Sequence, residues 1–113
     1  MTINGTIRFQ DVTKPSRHVT VYVRVEETGR PDAPASRVGE VVLRNVDVSA
    51  AASPLPFTIR DVAAAPAAHR VVRVHADLDG DGRVSRGDYV SMQSYPVTAD
   101  TSGRMEIVVR EVR

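Results

Sequence analysis

Residues His69–Tyr95 read HRVVRVHADLDGDGRVSRGDYVSMQSY. The first part, His69–Ala76, is rich in β-branched residues and places Val72, Val74 and Ala76 at every second position. The last part, Tyr89–Tyr95, runs without Gly or Pro until Pro96 closes it. Period-two segments of this length, bounded by turn residues, are strands rather than helices. Between them lies Asp77–Asp88, DLDGDGRVSRGD, which has no apolar periodicity and three glycines. The stretch is therefore strand–loop–strand, and the chain built around it is expected to be all-β.

Oxygen-bearing side chains occupy loop positions one, three, five, nine and twelve: Asp77, Asp79, Asp81, Ser85 and Asp88. Gly82 is at position six, and the backbone carbonyl of Arg83 stands at position seven. This spacing matches the twelve-residue calcium loop of EF-hands at every oxygen-ligand position, with Asp instead of Glu at the last. The chemistry explains the spacing. A hard divalent cation takes six to eight oxygens at roughly 2.3–2.6 Å, and alternate residues of a curled loop can all aim inward. Gly82, lacking Cβ, permits the sharp turn. Four carboxylates so close repel one another without a cation, and Arg83 and Arg86 relieve only part of that. Asp-Gly dipeptides are also hairpin-turn signals, so a solvated acidic turn is the competing reading. Sensor EF-hands work by changing the angle between two flanking helices. Strands flank this loop, so a bound Ca2+ is expected to be a structural clip rather than a switch.

The 113 residues make one domain with a single core. A net charge of +1 argues against nucleic-acid binding or membrane-surface attachment through bulk charge. Fourteen arginines stand against the single Lys14, a bias that fits high-GC coding. Without cysteine the chain can form neither a disulfide nor a lipid-attachment thioether. MTINGTIRFQ shows no basic segment followed by an apolar run, so no signal peptide is visible, and the compartment is left open. No stretch approaches the roughly twenty apolar residues of a membrane span.

In chain order there are seven strand-like segments. Ile3–Val12 carries Ile3, Ile7 and Phe9 on one face. His18–Glu27 alternates most cleanly, with Val19, Val21, Val23 and Val25 inward and His18, Thr20, Tyr22, Arg24 and Glu26 outward. Thr28–Arg37 reads as a surface loop. In Val38–Val48 the Val41-Val42-Leu43 run leaves the register open, and a bulge or change of sheet near Asn45 would suit it. Ser49–Pro56 is a connector in which Pro54 and Pro56 end any helix begun at Val48–Ala52. Leu55–Asp61 is the fourth strand, and Val62–Ala68 an alanine-rich connector with room for one helical turn. The fifth and sixth strands flank the acidic loop. The seventh, Arg104–Val112, turns Met105, Ile107 and Val109 inward after a Thr101-Ser102-Gly103 turn. Seven short strands at this spacing predict a seven-stranded antiparallel two-sheet β-sandwich, immunoglobulin- or transthyretin-like, with the EF-type loop between strands five and six. The absence of tryptophan and of a cysteine pair excludes the antibody-type core.

The order of these segments also resembles a family. A Gly5-Thr6 first strand, the VTVYVRVEE strand, the loop Arg30-Pro-Asp-Ala-Pro34, and the PLPFTIR and RVVRVHAD strands together resemble the type III secretion lipoprotein chaperones. These are pilotin-like proteins, and YbaY-type bacterial lipoproteins are related to them. The likeness covers most of Gly5–Asp77 and rests on the strand pattern plus the short motifs DAP and PFTI. It implies a β-sandwich of the bacterial envelope without enzymatic activity, some members helping outer-membrane secretins assemble. No lipobox cysteine is present, and the acidic loop lies outside the family pattern. Dockerin calcium loops are similar too, but a dockerin needs two copies and helices, and this chain has one copy.

His75 lies two residues before Asp77 on the same strand face, placed either behind the ligands or among them. Tyr89 follows Asp88 directly, and Tyr95 is further along the same segment. The pair forms either a platform for a sugar ring or peptide, or a cap on the core at the sheet edge. There is no P-loop, dinucleotide fingerprint, zinc-spaced cluster or nucleophile elbow. The sequence thus leads to a calcium-binding accessory module with Asp77, Asp79, Asp81, Arg83, Ser85 and Asp88 at the ion. The alternatives are an envelope assembly factor that adds a partner peptide to a sheet edge, and a carbohydrate-binding module using Tyr89 and Tyr95.

Overall fold

β2 (Ser16–Glu27) shows how the sequence becomes sheet. Its four inward valines, Val19, Val21, Val23 and Val25, are at most 1% exposed, and the residues between them reach the outer surface. Each such valine contributes on the order of 1.5–3 kcal/mol relative to an exposed one, an upper bound because unfolded chains already bury some surface. The other strands are β1 (Ile3–Phe9), β3 (Ser36–Val48), β4 (Leu55–Ile59), β5 (Arg70–Asp77), β6 (Tyr89–Ser91), β7 (Tyr95–Pro96) and β8 (Met105–Glu111). The structure is a computed structural model that describes residues 2–28, 36–50, 54–60, 69–97 and 105–113. Most of the Thr28–Arg37 loop, the Val48–Ala52 helix start beyond Ala50, the helical turn in Val62–Ala68 and the Thr101-Ser102-Gly103 turn lie outside the described residues.

The chain is all-β, but the strands form one continuous sheet rather than two. Their order is β3-β2-β5-β6-β8-β1-β4, with β7 also paired to β5. The two ends of the order, β3 and β4, approach each other without pairing, so the sheet curls into a nearly closed barrel. Two further expectations are corrected. Among the described residues there are eight strands instead of seven, because Tyr89–Tyr95 is two pieces. β6 pairs through His75↔Val90, β7 through Val72↔Tyr95, and the exposed Met92, Gln93 and Ser94 lie between them. Nor is every pair antiparallel, since β1 and β8 run parallel from Gly5↔Met105 to Phe9↔Val109. Alternation encodes which face of a strand is buried, and carries nothing about the direction of its neighbour.

The core fills the concave side. Ile3 and Ile7 of β1, Phe57 and Ile59 of β4, Val72, Val74 and Ala76 of β5, and Met105, Ile107 and Val109 of β8 meet the β2 valines there. Curvature is introduced by bulges between β2 and β3, where the register shifts between Ser16 and Val19, between Val19 and Val21, and between Val25 and Glu26. His18 (φ 60°) and Asn45 (φ 56°) take left-handed backbone at the first two shifts. Asn tolerates that conformation better than most residues. The irregularity near Asn45 is therefore a bulge.

Gly5 is where three strands crowd. It pairs with Met105 on one side and Phe57 on the other, and a Cβ there would lie 2.5 Å from the Met105 carbonyl oxygen and 2.7 Å from the Phe57 ring. One of these obstacles is backbone and cannot swing away. Gly5→Ala is expected to cost about 1–3 kcal/mol of unfolding free energy, measured as a lowered denaturant midpoint with unchanged slope.

Candidate functional site

β5 runs straight into the acidic loop. Asp77, its last residue, is 2% exposed and turns both carboxylate oxygens back on the loop. Oδ1 accepts the Gly80 N–H at 3.1 Å and Oδ2 the Gly82 N–H at 2.8 Å. Gly80 and Gly82 both have φ of 74°, which a residue with Cβ adopts only under strain. Further round, the Ser85 hydroxyl donates to Asp79 Oδ2 at 2.7 Å, and the Arg83 N–H donates to Asp81 Oδ1 at 2.9 Å. Arg83 itself is exposed.

Asp88 closes the loop and is 1% exposed. Its Oδ1 accepts the Leu78 N–H at 3.0 Å. Oδ2 accepts the Ser85 N–H at 3.1 Å and lies 2.7 Å from His75 Nε2. His75 is itself 6% exposed. It belongs to the sheet and is positioned behind the loop. Carboxylate oxygens of Asp77, Asp79, Asp81 and Asp88 lie within 4.8 Å of one another, and His75 with Asp77 and Asp88 forms a second set at the same spacing. All-oxygen donors at positions one, three and five suit a hard cation such as Ca2+. Asp88 is the weaker donor, being a methylene shorter than Glu and already accepting three hydrogen bonds.

Electrostatics separates the carboxylates. Burial pushes Asp77 above its ordinary value of 3.8, with Asp79 and the Asp88 charge adding to it and the Gly82 and Gly80 N–H groups opposing it. Asp79 is held down to about 2, first by the Ser85 hydroxyl and then by Asp77. The signs for stability are opposite. Asp77 opposes folding when ionised, and that penalty fades as pH falls through its raised pKa. Asp79 supports folding above 3.8, and that support is lost as pH falls toward about 2.

The two tyrosines assigned to ligand binding do not face solvent. Tyr89 is 3% exposed and packs edge-on against Phe9 at 5.3 Å between ring centroids. Burial and the nearby Glu111 push its phenol above the usual range. Tyr95 is 9% exposed, and its hydroxyl accepts the Val108 N–H at 2.9 Å. Both rings are buried in the interior of the strand order, Tyr89 on β6 between β5 and β8 and Tyr95 on β7 beside β5, and neither is presented as a platform on the surface. Tyr22 is the half-buried tyrosine on the outer face. Its ring stacks on His75 at 5.9 Å, and the Arg24 guanidinium sits 4.7 Å above it. Tyr22, Arg24, Arg73, His75, Val84 and Ser91 line a shallow depression of about 190 Å³ beside the loop. The outward alternation of β2 placed Tyr22 on this face, but only cross-strand pairing brings it to His75.

No family model matches the chain, and no curated protein sequence matches it. Among solved structures it is similar to an alternative pilotin from the type II secretion system of Vibrio cholerae. The TM-score is 0.75 at 17% identity, covering 100% of this chain and 97% of that one. At that identity the likeness is one of fold, and the fold is pilotin-like. The neighbour belongs to a type II system, and what the likeness supports of the expected family is the pilotin-like fold.

Side-chain carboxyl resonances in metal-free protein should show Asp77 titrating above 3.8 and Asp79 near 2. Coincident titration of the two near 3.8 would show that the loop is not folded as described.

Proposed function

We propose that this chain is a non-enzymatic, pilotin-like assembly factor of a bacterial envelope, which holds a partner protein by adding one of its segments to a sheet edge. The observation that carries this reading is the match of fold over the full chain to an alternative pilotin. The edge chemistry is consistent with it. Among the described residues β4 pairs with β1 along one side, and an incoming extended segment would pair along the other, with Pro56 supplying a carbonyl but no N–H to that ladder. The partner class is a secretin of the outer membrane. Segments of a secretin encoded in the same genome are expected to slow amide hydrogen exchange within Leu55–Ile59, at residues other than Pro56, which has no amide hydrogen. Unchanged exchange along both β3 and β4 with every segment removes the reading.

A second element of the proposal is that the acidic loop holds Ca2+ as a structural clip. The observation favouring it is the convergence of four carboxylates on a loop already curled by Asp77, Gly80 and Gly82. With Asp at position twelve, affinity belongs in the weak extracellular-module range, about 10⁻⁴–10⁻³ M. Such an ion would draw Asp77 back down from its raised pKa and couple the loop to β5 and β6. The burial of Tyr89 and Tyr95 disfavours a carbohydrate platform built on these two rings.

Thermal melts of metal-stripped protein should rise with added calcium as mass action requires. Asp77→Ala and Asp81→Ala should lower the melting temperature in calcium and change it little in chelator. A flat response to millimolar calcium, or equal melting temperatures for parent and variants in calcium, leaves an acidic turn and no clip.

A further inference from the structure

β3 is one end of the sheet order, hydrogen-bonded to β2 along one side and to no described strand along the other. Long edge strands are usually blunted by Pro, by charged side chains, above all Lys, by β-bulges or by shortness, because their free ladder recruits other chains. This one has thirteen residues, SRVGEVVLRNVDV, with neither Pro nor Lys. Bulges sit toward its two ends, leaving Gly39–Leu43 in regular register with β2. Within that run Val41, Val42 and Leu43 are all half-buried, so apolar surface is offered on both faces.

The charges along β3 are self-complementary. Arg37, Glu40, Arg44 and Asp47 lie five and two residues before Val42, then two and five after it. Reflection through Val42 reverses every sign. In an antiparallel pair centred on Val42, Glu40 faces Arg44, Val41 faces Leu43 and Val42 faces itself. Beyond the bulges, Arg37 comes opposite Asp47. Other registers lack this match. Slipping two residues either way leaves all four charges opposite uncharged residues, and slipping four places Glu40 against Glu40 or Arg44 against Arg44. Directly opposed charges favour a strand pair when unlike and oppose it when like. Within one chain, Glu40 Oε2 takes Arg24 and Arg37 at 2.7 and 3.3 Å. Arg44 and Asp47 are exposed and make no ion pair among the described residues.

We infer that the chain forms an isologous dimer in which β3 pairs antiparallel with β3 of a second copy about Val42, joining the two curled sheets edge to edge. The two-fold axis passes through Val42, and each ion pair occurs twice. This inference does not depend on the secretin reading, since it rests on the register and charges of β3 alone, although β3 and β4 approach each other and a strand added to β4 would compete for the same seam.

Sedimentation velocity over a concentration series is the test. The parent protein is expected to show reversible monomer–dimer exchange. Arg44→Glu, an exposed position, should weaken dimerisation by roughly tenfold or more, because two attractive pairs become repulsive, while the melting curve of the monomer is preserved. Val42→Cys supplies a lone thiol in a cysteine-free chain at the two-fold axis. It should oxidise to a covalent dimer, whereas Arg8→Cys on β1 should not. A parent that stays monomeric at every concentration, with no preferential cross-linking at Val42→Cys, overturns the inference. So does dimerisation unaffected by Arg44→Glu.

Discussion

One buried carboxylate organises the junction between sheet and loop. Asp88 accepts N–H groups from Leu78 and Ser85 and contacts His75, so it binds both ends of the loop and the strand behind it. Its backbone extends the tie. The Asp88 carbonyl accepts the Val112 N–H at 2.7 Å, and the Gly87 N–H donates to the Val112 carbonyl at 2.8 Å, which anchors the C-terminal segment. A carboxylate 1% exposed cannot be left unsatisfied, since an unpaired buried charge costs several kcal/mol. The loop meets this requirement with its own donors.

That constraint explains why the acidic loop is shaped before any ion is considered. Asp77 repeats the device on the near side by holding Gly80 and Gly82. Burial and the Asp88 charge raise the pKa of Asp77, whereas exposed Asp79 is stabilised as an anion by Ser85. His75 carries the loop's influence outward, because its ring also stacks on Tyr22 of β2.

Sheet topology supplies the frame for this arrangement. β5 lies between β2 and β6, while the first and last strands run side by side in parallel. The ends of the order are β3 and β4, and both candidate association surfaces are there. Among the described residues β3 and β4 each pair along one side, which is why the proposed partner strand and the proposed second copy are both assigned to the ends of the sheet order.

Much of this was legible in the residues. The alternating valines of Val19–Val25, the β-branched run before Asp77 and the inward series Met105, Ile107 and Val109 determined the all-β class and most of the core, because side-chain burial follows a local period of two. The spacing of Asp77, Asp79, Asp81 and Asp88 likewise brings their carboxylates together, with the Ser85 hydroxyl on Asp79, since a twelve-residue loop is short enough to be closed by its own turns. Three features were decided only by tertiary structure. The direction of β8 beside β1, the break at Met92-Gln93-Ser94 and the merging of two expected sheets into one all depend on which strands meet across the chain. The roles of the tyrosines were decided in the same way. Tyr89 and Tyr95 are adjacent to the loop in sequence but are drawn into the core, while Tyr22, far away in the chain, reaches His75 through the β2–β5 register. Local pattern specifies which face of a strand is buried, and only long-range pairing specifies which neighbours that face receives.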